Sequence, residues 1–249
     1  MQPGDGQAAL YSALAIEKQA VLNMGSIASI AVQTKDSSVS LDGFAKSVLY
    51  SKKEDSAFLL EGITTACGAV IKYLKDDLKI IADESELVTL DDPGYMPELL
   101  AYLPIHGTAT PLWKKDIPLT FSEDTTRLEK KEVVSASLYS IGSFIVKNIL
   151  LLQEAKLIEA KALIKVSGGV SRSKMLLQYI SSLTACSFYR DESSAGSAMG
   201  ILSFIQGSAL PGEGVGSKIK VLVEPGSREV FAEYYESWLG LERQCLSLD

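Results

Sequence analysis

Three short turns carry the residue types that let a backbone come close to a phosphate: Gly25-Ser26, the stretch from Gly62 to Gly68, and Gly168-Gly169. Each sits where an apolar run with strand character ends. Ligands of open α/β sheets bind at such strand ends. A glycine there admits backbone N–H groups to an anion, and a helix starting behind it adds a favourable dipole. The chemistry these turns point to is the holding of a nucleotide. A tight turn with a positive φ angle accounts equally well for Gly168-Gly169 taken alone. Neither GxGxxG nor GxxxxGK[ST] occurs, so a nucleotide site in this chain is of another kind.

Other chemistries have little to work with. His106 is the single histidine, so a Ser–His–Asp or Cys–His mechanism would have to use it. Its context, Leu103-Pro104-Ile105-His106-Gly107, reads as a loop or strand end. The three cysteines, Cys67, Cys186 and Cys245, are odd in number, far apart and free of CxxC spacing. They read as reduced thiols of a cytoplasmic protein, with Cys67 and Cys186 in apolar, core-like contexts, and no metal-ligand pattern appears. The net charge of −7 and the lack of any Lys/Arg cluster argue against nucleic acid as a partner. No signal peptide and no run of eighteen apolar residues is present, so no membrane partner is expected.

The 249 residues are 47% hydrophobic and 22% charged, enough for one substantial domain with a real core. Residues 8–22 have helical spacing running into an extended segment, and 21–34 read as strand, turn, strand. Phe58-Leu59-Leu60 is a short strand feeding a helix over 64–78. Residues 83–98 read as a loop, 99–105 as a strand and 106–127 as irregular. A long helix covers 131–160, with Val134, Leu138, Ile141, Ile145, Ile149 and Leu152 on one face. A buried-type strand at 162–166 leads into a helix at 171–183, followed by a strand at 186–189 and a small-residue helix at 195–201. Residues 207–217 are glycine-rich, and 228–245 form an amphipathic helix. This alternation predicts an α/β fold with a mixed sheet.

Five segments, in order, resemble the FGGY carbohydrate kinase family. Gly4-Asp5-Gly6-Gln7-Ala8-Ala9-Leu10 resembles its GDxQAAL segment. Leu22-Asn23-Met24-Gly25-Ser26 is similar to its N-x-Y-G-T-G phosphate-facing hairpin. Leu60-Glu61-Gly62, with Gly68-Ala69-Val70-Ile71-Lys72-Tyr73-Leu74, resembles its "LEG…aGaxxxWL" helix. Val166-Ser167-Gly168-Gly169, with Ser173 and Gln178, resembles "vDGGxxxNxxxxQ". Glu192-Ser193-Ser194-Ala195, with Ala198, resembles "ExTALGAA".

The resemblance covers residues 4 to about 205 and corresponds to the C-terminal half of the family. It implies the ribonuclease H-like fold of actin, hexokinase and Hsp70, a mixed sheet flanked by helices, with residues 1–210 as the nucleotide-binding domain and 211–249 as a flexible loop and helical tail. It implies ATP and Mg²⁺ as cofactors and a sugar or polyol as acceptor. By the same token Asp5 is the general base on the acceptor hydroxyl, and Ser26 contacts phosphate, with Gly25 leaving room for it. Gly68 and Lys72 line the nucleotide, Gly168 and Gly169 form the strand-end turn beside it, and Gly169 and Ser173 face the adenosine. The half that carries most sugar contacts is expected to be an N-terminal domain outside this chain, so the chain alone is expected to be inactive.

The departures are specific. Ser167 stands where the family has an aspartate, Ser173 where it has an asparagine, and Ile27 where it has the second glycine of the hairpin. They keep open an alternative, a non-catalytic actin-like module that binds nucleotide or protein and forms a homo-oligomer through the surface where the other domain would dock. An unrelated α/β activity is the third reading.

Overall fold

The computed structural model describes residues 20–52, 55–190, 220–223 and 228–247. Strands β1 (Ala20–Met24) and β2 (Ala28–Thr34) form an antiparallel hairpin. Strands β3 (Ala45–Lys52) and β4 (Asp55–Thr64) extend it antiparallel on one side, with β4 next to β2. Strands β5 (Ala101–Tyr102) and β6 (Thr120–Phe121) make a separate two-stranded pair. Strands β7 (Leu163–Ser167) and β8 (Ser187–Arg190) continue the main sheet parallel to β1, and β9 (Lys220–Val223) closes that edge antiparallel. The order β3-β4-β2-β1-β7-β8-β9 is the mixed sheet expected of a ribonuclease H-like domain.

Alternation along the strands explains why the sheet is covered on both faces. Ala20, Leu22 and Met24 point to one side of β1, with Ile30 and Val32 of β2 and Leu60 of β4 in the same core cluster. Val21 points to the other, with Ala31, Leu49, Ala57 and Leu59. Helix α1 (Gly68–Lys72) follows β4 and continues as a π-helical turn, Tyr73–Asp77. The short α2 is Glu86–Leu90. Then come α3 (Lys130–Glu154), α4 (Lys174–Thr184) and α5 (Arg228–Leu246).

Helix α3 is long and apolar enough to cross a bilayer, but 89% of that window is buried within the fold. Small residues let its neighbours come close: a Cβ at Gly142 would lie 2.6 Å from a Tyr179 ring carbon on α4. Ser143 Oγ and the Tyr179 hydroxyl hydrogen-bond across this contact at 2.8 Å. Tyr139 stacks on Tyr179 at 4.5 Å, and Phe231 and Tyr234 of α5 pack edge-on against them. Helix α5 is joined to the same core. Trp238 is fully buried and its indole N–H donates to the Ala101 carbonyl, while the Tyr234 hydroxyl donates to Leu99. All three cysteines are buried and free.

The hairpin at 21–34 and the long helix appear close to where periodicity places them. The strand expected at 99–105 shortens to two residues, because β6 offers it only a two-residue partner. The helix expected from 64 starts at 68, after the turn that the β1–β2 hairpin packs against. The 83–98 loop contains α2. The sequence reading assigns no strand to β3 or β9, although Val48-Leu49-Tyr50 and Val221-Leu222-Val223 are strand-forming residue types; β4 and β8 pair with them. The elements expected at 8–19, 195–201 and 207–217 lie outside the described residues.

Candidate functional site

The C-terminal ends of β1, β4 and β7 share one edge of the sheet. From β1 the chain first builds toward β3, then crosses over to β7 on the opposite side of β1. The gap between β1 and β7 is therefore the switch point at which open α/β sheets take ligands.

On one side stands the hairpin turn Gly25-Ser26-Ile27. Gly25 N–H donates to the Ile27 carbonyl at 3.0 Å. The Gly25 and Ser26 carbonyls accept from Gly68 N–H and Ala69 N–H, at 2.9 and 3.0 Å, so the hairpin itself caps α1. Gly68 is required for this approach: a Cβ there would lie 2.7 Å from the Gly25 carbonyl oxygen. Two of the N–H groups that could greet an anion at α1 are consequently in use. Ser26 is exposed at the tip, and Ile27 beside it is 51% exposed, an apolar side chain projecting where a smaller residue would leave backbone bare.

On the other side is the turn after β7. Asn23 and Ser167 are paired in register across the parallel strands, and the Ser167 hydroxyl donates to Asn23 Oδ1 at 3.2 Å. Gly168 has φ +89°, and a Cβ on it would fall 2.3 Å from the Met24 carbonyl oxygen. Gly169 has ordinary helical angles, φ −63° and ψ −41°, and a Cβ on it would meet nothing within 4 Å. The two adjacent glycines thus do different things. Gly168 lets β7 close on β1, whereas Gly169 leaves open space beside the edge. The Ser171 hydroxyl bonds the Gly168 carbonyl at 2.7 Å, and Arg190 donates to both oxygens of Ser171 at 2.7 and 2.9 Å, which fixes the turn.

Ser173 is the N-cap of α4, accepting from Leu176 N–H at 3.1 Å. Its own proton goes to Asp91, a residue that the sequence reading leaves in a loop. Nothing local marks Asp91 as part of the site, since its partners lie more than eighty positions away. Lys72 is exposed on α1 and lines a cleft of about 730 Å³ with Ala69, Tyr73, Pro104, Ile105 and Gly107. His106 also lines that cleft, exposed and with φ +64°. None of Gly25, Ser26, Gly168, Gly169 or Ser173 reaches it. The fold therefore brings Gly25, Ser26, Gly68, Gly168, Gly169 and Ser173 to one edge, with Lys72 one turn further along α1 toward the cleft. Asp5 and the segment 192–198 lie outside the described residues.

Cys67 and Cys186 are buried, free thiols. Burial pushes the Cys67 thiol up to about 12 and raises Cys186 as well, so both stay protonated. Among the described residues no group of three His, Cys, Asp or Glu side chains is placed to hold a metal ion.

Comparison with known proteins bears on this edge. The C-terminal domain of the FGGY family of carbohydrate kinases matches residues 20–204. The glycerol kinase of Clostridium perfringens (strain SM101) is 30% identical over 189 residues, covering 72% of this chain and 36% of the relative. The glycerol kinase of Streptococcus pyogenes is 28% identical over 215 residues, covering 83% and 41%. The Plasmodium falciparum glycerol kinase solved with ADP superimposes with a TM-score of 0.80 at 19% identity, covering 98% of this chain and 50% of that one. The chain thus spans about half the length of this solved kinase, and a smaller share of the two curated relatives.

Proposed function

The chain belongs to the FGGY family of carbohydrate kinases, and from that premise we propose that it supplies the nucleotide-holding half of an ATP-dependent sugar or polyol kinase. The observation that carries this reading is the open space at Gly169, across the switch point from the exposed Ser26 hairpin. In this reading the nucleoside lies along the Gly169–Ser173 turn and the phosphates run toward Ser26, whose hydroxyl donates to them. Gly68 holds the hairpin in place, and Lys72 flanks the nucleotide from α1.

Asp5 takes the proton of the acceptor hydroxyl as its oxygen bonds the γ-phosphorus. The bond from that phosphorus to the bridging oxygen breaks, ADP leaves, and the products are a phosphorylated sugar or polyol and one proton. Mg²⁺, when bound, would supply neutralisation of charge on the phosphates. Among the described residues no cluster of His, Cys, Asp or Glu side chains would hold the ion, so it would come in bound to the phosphates of the nucleotide. Acceptor binding and exclusion of water require an N-terminal domain, because this half presents one wall of a cleft.

The second reading is a module that binds without catalysis. It is favoured by Ile27 on the hairpin tip and by the Ser173 proton already committed to Asp91. Calorimetric titration with Mg·ADP, up to about millimolar, separates the readings when Gly169→Asp is run beside the native chain. Saturable binding lost in Gly169→Asp, with melting temperature unchanged, supports the nucleotide site. Binding unaffected by the substitution removes it from this turn. Phosphoryl transfer on adding a matching N-terminal domain then distinguishes kinase from module.

A further inference from the structure

Asp91 stands 82 residues before Ser173 in the chain, and the fold lays its carboxylate on the first turn of α4. Oδ1 accepts the Ser173 hydroxyl at 2.7 Å and Met175 N–H at 2.9 Å, and Oδ2 accepts Lys174 N–H at 2.7 Å. Ser173 Oγ accepts Leu176 N–H in turn. The single hydroxyl proton of Ser173 is therefore given to a carboxylate, a stronger acceptor than a neutral base or ribose oxygen.

What this turn has left to offer a ligand is acceptor capacity: spare lone pairs on Asp91 Oδ2 and on Ser173 Oγ. Both residues are half-buried and so reachable, and Gly169 leaves space on the same turn. The carboxylate also fills the place where the α4 dipole would attract a phosphate, and its charge repels one. A ligand group that only accepts hydrogen bonds has nothing to meet here, whereas a donor does.

Resting on the reading that a nucleotide lies along this turn, we propose that Asp91 is a specificity-determining residue. Its carboxylate accepts a hydrogen bond from the nucleoside, given either by the 6-amino group of adenine or by a ribose hydroxyl.

Calorimetric titration with Mg·ADP, Mg·IDP, Mg·2′-deoxy-ADP and Mg·3′-deoxy-ADP tests this on the native chain, on Asp91→Asn and on Asp91→Ala. The expected result is that one analogue lacking its donor binds native protein about tenfold more weakly than ADP, the scale of one hydrogen bond. Weaker IDP assigns the 6-amino group, and a weaker deoxy analogue assigns that hydroxyl. An amide can accept from the 6-amino group of ADP and donate to the O6 of IDP, so Asp91→Asn should bring an IDP ratio to within about twofold. A ribose hydroxyl would still bond an amide, so for a deoxy analogue it is Asp91→Ala, which has no acceptor, that should do so. Equal affinities on the native chain, an IDP ratio unchanged in Asp91→Asn, or a deoxy ratio unchanged in Asp91→Ala, overturn the assignment. If the variant concerned does not fold, the backbone amide resonances of Lys174 and Met175 in the native chain provide the second readout. They should shift with Mg·ADP and not with Mg·pyrophosphate, and their standing still with Mg·ADP overturns the proposal. Failure of all four nucleotides to bind native protein is a different result: it sinks the nucleotide reading, and this inference with it.

Discussion

Gly168 packs so tightly on Met24 that a Cβ added to it would lie 2.3 Å from the Met24 carbonyl oxygen, with φ at +89°. The contact closes β7 onto β1 and sets the floor of the candidate site. Gly168→Ala should therefore lose about 2–4 kcal/mol, combining backbone strain with a clash against a carbonyl that cannot rotate away. Gly169→Ala, next in the chain and open, should stay within about 0.5 kcal/mol. Urea unfolding of the two variants checks the contrast, and equal losses would refute the division of labour between the two glycines.

Trp238 ties α5 to the core by full burial and by its bond to the Ala101 carbonyl. Trp238→Ala should destabilise by about 3–5 kcal/mol. Trp238→Phe should lose less, since it keeps most of the packing and leaves one carbonyl unpaired. Thermal or denaturant unfolding measures both. A loss below about 1 kcal/mol for Trp238→Ala would mean that α5 is not integral to the domain.

Lys147 and Glu242 form a 2.7 Å ion pair between α3 and α5, with the glutamate side chain only 6% exposed. Removing the lysine strands the buried glutamate away from water, whereas Lys147, 23% exposed, keeps part of its hydration. Lys147→Met alone should lose about 3–5 kcal/mol, Glu242→Leu alone less, and the double variant should recover most of the Lys147→Met loss. A double-mutant cycle of unfolding free energies tests this. Additive losses would show that the pair is not coupled.

Alkaline pH should weaken the fold. The Cys67 thiol is raised from its usual value to about 12 by burial, and burial likewise raises the Tyr139, Tyr179, Tyr234 and Tyr235 phenols. The native state holds these protons to higher pH than the unfolded chain does. Stability is then full below about pH 9 and falls as pH rises through the folded values, by about 1.4 kcal/mol per pH unit for each group concerned. Urea midpoints measured from pH 8 to 11 should decline with steepening slope. A flat profile would contradict the protonated burial of these groups. Iodoacetamide at pH 8 should leave Cys67 unmodified until the protein is unfolded.

Several features of the protein were present in the sequence as local signals. The β1–β2 hairpin announces itself by two apolar runs around Gly25-Ser26, α3 by its repeating apolar face, and β7 by the compact run into Ser167-Gly168-Gly169. Their order and spacing were enough to place the chain in its family and to nominate most of the residues that gather at the sheet edge. Periodicity and turn chemistry are carried by neighbours a few positions apart, so they are readable along one line of text.

What the tertiary structure alone decided depends on contacts between distant positions. Which strands pair, β3 with β4 and β9 with β8, is set by such contacts, and β5 is short because β6 is. The two glycines of the β7 turn look alike in sequence, and only the Met24 carbonyl separates their roles. Gly68 admits the hairpin carbonyls that cap α1. Asp91 meets Ser173 because chain folding brings a loop carboxylate to a helix terminus 82 residues later. Such groups are selected by satisfaction of hydrogen bonds and by steric fit in three dimensions, and neither leaves a mark in the residues that flank them.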